Sequence, residues 1–169
     1  MANMIPIVKT ILSSTSSTIT FTSIPQGYTD LLLNVSLRIN AVGVADRAII
    51  SFNGSNADYT LKWLGVAGSN AVSYTRTDWG DNQTSYHPAN TSTISTFSNT
   101  SFYFSNYSGN KYKNLAVDNT SEDNSGTTTY YGILTGLWSQ TSPITSITLT
   151  NSNGFLQYSS AILYGIRKY

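Results

Sequence analysis

The sequence contains no cysteine, so neither a disulfide framework nor a thiolate metal site is available, and robustness must come from packing or association. Charge is scarce as well. Only 10% of the 169 residues are charged, glutamate occurs once, at Glu122, and the formal net charge is +1. The nine Lys and Arg residues are scattered, with only Arg167 and Lys168 adjacent, which gives no nucleic-acid footprint. No apolar run approaches the roughly 20 residues of a membrane helix. Met1 to Leu12, with one charge at Lys9 and a proline at Pro6, lacks the basic start and long apolar stretch of a secretory signal. The expectation is a chain made in the cytoplasm, with no nucleic acid and no membrane among its partners.

Hydroxyl and amide side chains stand where charge is missing: Ser, Thr and Asn number 25, 23 and 16. These residues compete with helix hydrogen bonds and suit turns and strands. With 40% apolar residues the chain can still fill a core, and 169 residues is the size of one domain, here taken as 1–169. Alternation with period two dominates. Leu31, Leu33, Val35, Leu37 and Ile39 fall on one face of a strand over Asp30 to Asn40, and Asn34, Ser36, Arg38 and Asn40 on the other, facing solvent or a neighbouring subunit. Arg47 to Phe52, then Asn53-Gly54, then Tyr59, Leu61 and Trp63 read as a hairpin.

Similar runs recur at Ile5 to Leu12, Thr18 to Ser23, Thr91 to Phe97, Ser101 to Tyr107, Lys111 to Val117, Thr128 to Trp138, Ile144 to Thr150 and Phe155 to Ile166. Turn residues punctuate them, among others at Pro25-Gln26-Gly27, Gly109-Asn110 and Asn151 to Gly154. The fold class is therefore all-β: a two-sheet antiparallel sandwich, jelly-roll-like, of about ten strands with little helix. Two stretches read as long loops, Gly65 to Asn90 and Asn119 to Thr127.

Three segments together resemble a group of small structural proteins of tailed phages, especially phages of aquatic bacteria. The first is Ile24-Pro25-Gln26-Gly27-Tyr28-Thr29-Asp30-Leu31-Leu32-Leu33 followed by Ser36-Leu37-Arg38, and the second is Phe52-Asn53-Gly54 with Tyr59 and Leu61. The third comprises Gly136-Leu137-Trp138-Ser139, Ile144-Thr145-Ser146-Ile147 and Leu163-Tyr164-Gly165-Ile166. The resemblance implies a sandwich on the virion surface, either a capsid decoration or cement protein or a tail fibre or receptor-binding component. It also implies a homotrimer, bound to the major capsid protein or to a tail protein. Apolar second faces at Leu31-Leu32-Leu33, Ala48-Ile49-Ile50 and Tyr130-Tyr131 point independently to subunit contacts.

Catalytic chemistry is thinly provided for, and no enzyme is expected. His87, the single histidine, precedes Pro88 in a polar stretch and reads as a surface or interface residue; no nucleophile-elbow motif accompanies the many serines. The carboxylate pairs available to a glycosidase are Asp78 with Asp81 and Glu122 with Asp123, and the adjacent Glu122 and Asp123, in a turn, are expected to point apart and stay solvated. Asp118, Asn119, Glu122, Asp123 and Asn124 offer oxygen ligands without the spacing of a calcium loop, so no metal or cofactor is assigned. Glycan binding is the main rival function, because aromatic rings stack on sugars while polar groups bond their hydroxyls. The candidate contacts, for a host-surface glycan or a protein partner, are Tyr74, Arg76, Trp79, Tyr86 and His87. Seven Asn-x-Ser/Thr triplets follow from composition alone, and Asn34, one of them, lies in an expected strand.

Overall fold

A computed structural model describes residues 3–77, 83–124 and 129–167. In chain order the strands are β1 (Asn3–Ile11), β2 (Ser16–Phe21), β3 (Asp30–Ser36), β4 (Ala45–Phe52), β5 (Tyr59–Ala67), β6 (Asn70–Arg76), β7 (Gln83–Pro88), β8 (Asn99–Ser105), β9 (Lys113–Ser121), β10 (Tyr130–Trp138), β11 (Ile147–Phe155) and β12 (Ser160–Arg167). Among the described residues there is no helix. The strands form an eight-stranded sheet, ordered β1-β12-β3-β8-β9-β10-β5-β6, and a four-stranded sheet, β2-β11-β4-β7. Neighbours in both are antiparallel. From β1 to β5 the chain changes sheet at every connection, the weaving that gives a jelly roll its two facing layers.

Alternation sets the faces. Leu31, Leu33 and Val35 of β3, Phe102 and Phe104 of β8, Leu115 and Val117 of β9, and Ala161 and Leu163 of β12 are all buried between the sheets. Phe52 sits among aromatics, its ring 5.4 Å from Phe104, 5.5 Å from Trp138 and 5.7 Å from Tyr59. Leu37 and Ile39 are also fully buried, but β3 stops at Ser36 because the chain there crosses between layers: Ile39 bridges Phe155 of the small sheet. The apolar period therefore outlasts the strand.

The Asn53-Gly54 turn forms, with φ of 53° and 72° and a bridge from Phe52 to Ser55, yet it joins no hairpin. Its two strands lie in different sheets, so it is a corner. Tyr59 braces it, its hydroxyl accepting from the Phe52 N–H at 2.9 Å and donating to the Ser55 carbonyl at 3.0 Å. Gly65 to Asn90 is likewise no long loop, since it contains the end of β5, all of β6 and β7. Asn119 to Thr127 begins inside β9. Conversely, Thr91 to Phe97 is a run of turns and not a strand.

Those turns have a physical centre. Arg38, expected on the outward face of its strand, is buried and donates to the carbonyls of Ser92, Thr93 and Thr96 and to the Thr96 hydroxyl, at 2.8 to 3.0 Å. A planar guanidinium with several fixed donors wraps the segment around itself and removes its backbone from any sheet. Lys113 is caged in the same way, by the carbonyls of Gly109, Lys111 and Thr141. In β11 the expected Asn151 to Gly154 turn survives as a bulge, with Asn151 Oδ1 accepting from the N–H groups of Asn153 and Gly154.

Asn119 ties the layers together. Buried on the inner face of β9, it accepts from the Tyr86 N–H at 3.0 Å and donates to the Tyr86 carbonyl at 2.9 Å and to Thr100 Oγ1 at 2.7 Å. One side chain thus occupies the free edge of β7 as a further strand would.

Candidate functional site

Of the candidate contacts, Tyr74, Arg76 and Tyr86 lie in one cluster, on β6 and β7. Tyr74 of β6 lies opposite Trp63 of β5, and their rings stack at 5.4 Å with 19° between planes. Tyr86 of β7 meets the same indole at 5.9 Å and stacks on Tyr130 of β10 at 4.5 Å. Two cations cover these rings. Arg47 lies 4.7 Å from the Tyr86 ring centre and donates to its hydroxyl at 2.6 Å, and Arg76 lies 5.5 Å from the Tyr74 ring. Burial raises the Tyr74 phenol pKa, with Tyr86 adding to the effect and both guanidiniums opposing it, so these four groups share one field.

Two glycines make room for this layer. Gly65 and Gly132 face each other across β5 and β10, and the Trp63 indole lies over both: a Cβ at either position would sit 2.6 Å from that ring. Arg47, Trp63 and Tyr130 were not legible as members of the site: Arg47 comes from the other sheet, Trp63 reads as a core residue of its strand, and Tyr130 lies far along the chain. Trp79 lies outside the described residues.

His87 belongs elsewhere, and the surface assignment is corrected. It is fully buried, with Nε2 2.7 Å from Ser85 Oγ and Nδ1 2.6 Å from Ser98 Oγ, while Ser98 Oγ also accepts from the Leu37 N–H at 3.1 Å. Burial pushes its pKa down to about 3, against a smaller opposing effect of Asp46. Two hydroxyls and no carboxylate hold the ring, and Ser85 is buried with it, so this Ser–His contact offers no nucleophile to a substrate from solvent.

The acidic stretch does not converge either. Asp118 is exposed while Asn119 points inward, as strand alternation requires. Asp123, expected to stay solvated, is buried and accepts from Ser92 Oγ at 3.3 Å. Glu122 is exposed, its carboxyl pulled below the usual range by the Thr129 hydroxyl and then by the Asn124 N–H. Asp78 and Asp81 lie outside the described residues. Among the described residues no group of three or more His, Cys, Asp or Glu is arranged for a metal ion.

The outer face of the large sheet carries the second feature, a groove of about 1000 Å³. It is lined by Tyr103 of β8, Ala116 of β9, Ile133 and Thr135 of β10, and Lys62 and Leu64 of β5. Tyr103 is fixed by donation to Asp30 at 2.7 Å. Leu64 and Ile133 are direct cross-strand partners, 58% and 54% exposed, with Tyr131 50% exposed on the same strand. The sequence suggested surplus apolar surface at Tyr130-Tyr131; Leu64 and Ile133 were missed because each alternates with core residues. No family model, curated protein or solved structure matches this chain, so its function is read from its own residues.

Proposed function

We propose that this chain is a structural protein on the surface of a bacteriophage particle, a capsid decoration or cement protein that stabilises the shell through the outer face of its large sheet. The observation that carries the reading is the contiguous Leu64–Ile133–Tyr131 strip beside the groove, on a protein whose surface is otherwise rich in hydroxyl and amide groups. Apolar and aromatic side chains with few charges are the composition of an interface core. The resemblance in the three sequence segments supports the virion setting, synthesis in the host cytoplasm, and a homotrimer as the attached form. Catalysis has no comparable support, since the buried Ser85–His87 pair is closed to substrate.

A second reading, a fibre or receptor-binding protein that recognises a host-surface glycan, is favoured by the ring and guanidinium cluster around Tyr74 and Tyr86. The two are separated by measuring particle melting and host adsorption on virions with and without the protein. A cement protein binds the assembled shell better than its parts, so its removal lowers the melting temperature and leaves adsorption intact. Lost adsorption with unchanged melting selects the receptor binder.

A further inference from the structure

The strands β1, β6, β2 and β7 stand at the rims of the two sheets, and three of them are guarded against pairing with another chain. In β1, Pro6 sits at a register shift and Lys9 adds a charge. In the short β2, Ser16 turns back to donate to the Thr18 carbonyl at 2.9 Å. In β7, Asn119 occupies the edge. β6 has none of these devices: it pairs with β5 without a bulge, contains no proline and carries its one charge at the last residue, Arg76. An open edge of that kind is a template for another strand.

Which groups it offers follows from the hairpin. β5 and β6 are joined by Gly68 and Ser69 alone, with Gly68 at φ 63°, so Ala67 and Asn70 form the hydrogen-bonded pair that closes a two-residue turn. Bonding direction alternates along an antiparallel strand, so Val72, Tyr74 and Arg76 bond to β5 as Asn70 does. The Gly68 N–H, turned the other way to the Thr129 carbonyl at 3.0 Å, agrees with that phase. The backbone groups of Ala71, Ser73 and Thr75 therefore point away from the sheet, and among the described residues no hydrogen bond reaches them.

We propose that β6 pairs with β6 of a second copy of this chain, antiparallel about a two-fold axis through Ser73. In that register Ser73 faces its own copy and Ala71 faces Thr75, so every outward backbone group is used, in about six hydrogen bonds. Val72 and Tyr74, each half-buried against its own core, become direct cross-strand neighbours of the other copy's Tyr74 and Val72, a pairing of aromatic with β-branched side chains. Arg76 faces Asn70, and no like charges meet. An axis at Arg76 would oppose the two guanidiniums, and an axis at Val72 would set Thr75 against Ser69 in the turn. On the outer face, Leu64 and Ile133 continue the row of Ser73 across β5 and β10, so the axis aligns the apolar strips of both chains. The joint is two-fold and made by an edge, which separates it from the contacts of the attached trimer.

The test is sedimentation velocity of the full chain over about 1 to 200 µM, a range that brackets the affinity of a small interface. The parent chain is expected to dimerise in the upper part of that range. Ser73→Lys and Ser73→Glu, at an exposed position, should melt like the parent, and thermal melting verifies this. Each alone sets two like charges face to face on the axis and should weaken association at least about tenfold, whereas an equimolar mixture of the two should regain it. A contact elsewhere on the molecule predicts no such recovery. A parent chain monomeric throughout, association that survives Ser73→Lys unchanged, or a mixture as dissociated as its components overturns the proposal. Each of these results leaves attachment through the outer face of the large sheet standing, because that reading is tested on particles.

Discussion

His87 is the group whose protonation couples most directly to folding. Its folded pKa of about 3 lies below the ordinary 6.5, so between those values the unfolded chain takes up a proton that the folded chain refuses. Stability from this residue is whole above pH 6.5 and falls as pH drops through the window, by about 1.4 kcal/mol per unit. The chain has one histidine, so denaturant titration at pH 7 and pH 5, run beside His87→Gln as the background, isolates it. The expected loss is roughly 2 kcal/mol, flattened in His87→Gln. Equal stability at the two pH values would show that the imidazole is not buried between its two serines. The burial itself was illegible in sequence: Gln83 to Pro88 is mostly polar, and of the two hydroxyls that enclose the ring, Ser85 and Ser98, the second comes from a segment 11 residues away.

At the scale of elements, what alternates was readable and what crosses was not. The face of β3 follows from Leu31, Leu33 and Val35 alone, and Leu33→Asp, which places an unpaired charge at a fully buried position, is expected to cost on the order of 3 to 5 kcal/mol. A mutant that melts like the parent would mean that the face is misassigned. The Asn53-Gly54 turn was read correctly as a conformation and wrongly as a hairpin, because positive φ at two residues fixes a reversal but not which sheet receives the next strand. The Thr91 to Phe97 segment failed differently. Its composition suits a strand, and the buried Arg38 guanidinium overrides that preference with four hydrogen bonds. The paired glycines of β5 and β10 offer a sharper test of the aromatic layer. In Gly65→Ala the new Cβ would meet the Tyr131 carbonyl at 2.1 Å as well as the Trp63 ring, backbone that cannot simply rotate away. Overpacking of this kind costs about 1 to 3 kcal/mol and should displace Trp63 from Tyr74, which near-ultraviolet circular dichroism reports. An unchanged aromatic spectrum and melting temperature would contradict the stacking described.

For the whole molecule, the unequal sheets matter most. Four strands cover the inner face of eight, and the outer face of the larger sheet presents its groove to solvent. The sequence conveyed that surplus apolar surface exists, but not that it gathers on β5 and β10, since that depends on placing Leu64 beside Ile133 across a strand pair about 70 residues apart in the chain. Substitutions on this face should separate folding from attachment. Ile133→Glu, at a position 54% exposed, is expected to change the stability of the isolated protein by only about 0.5 kcal/mol. The decisive measurement is the melting temperature of particles stripped of this protein and then reconstituted with the parent chain or with Ile133→Glu. Cement bound through the large sheet predicts that the parent chain restores the melting temperature and that Ile133→Glu, equally folded, does not. Full restoration by Ile133→Glu, or no restoration by the parent chain, would contradict it.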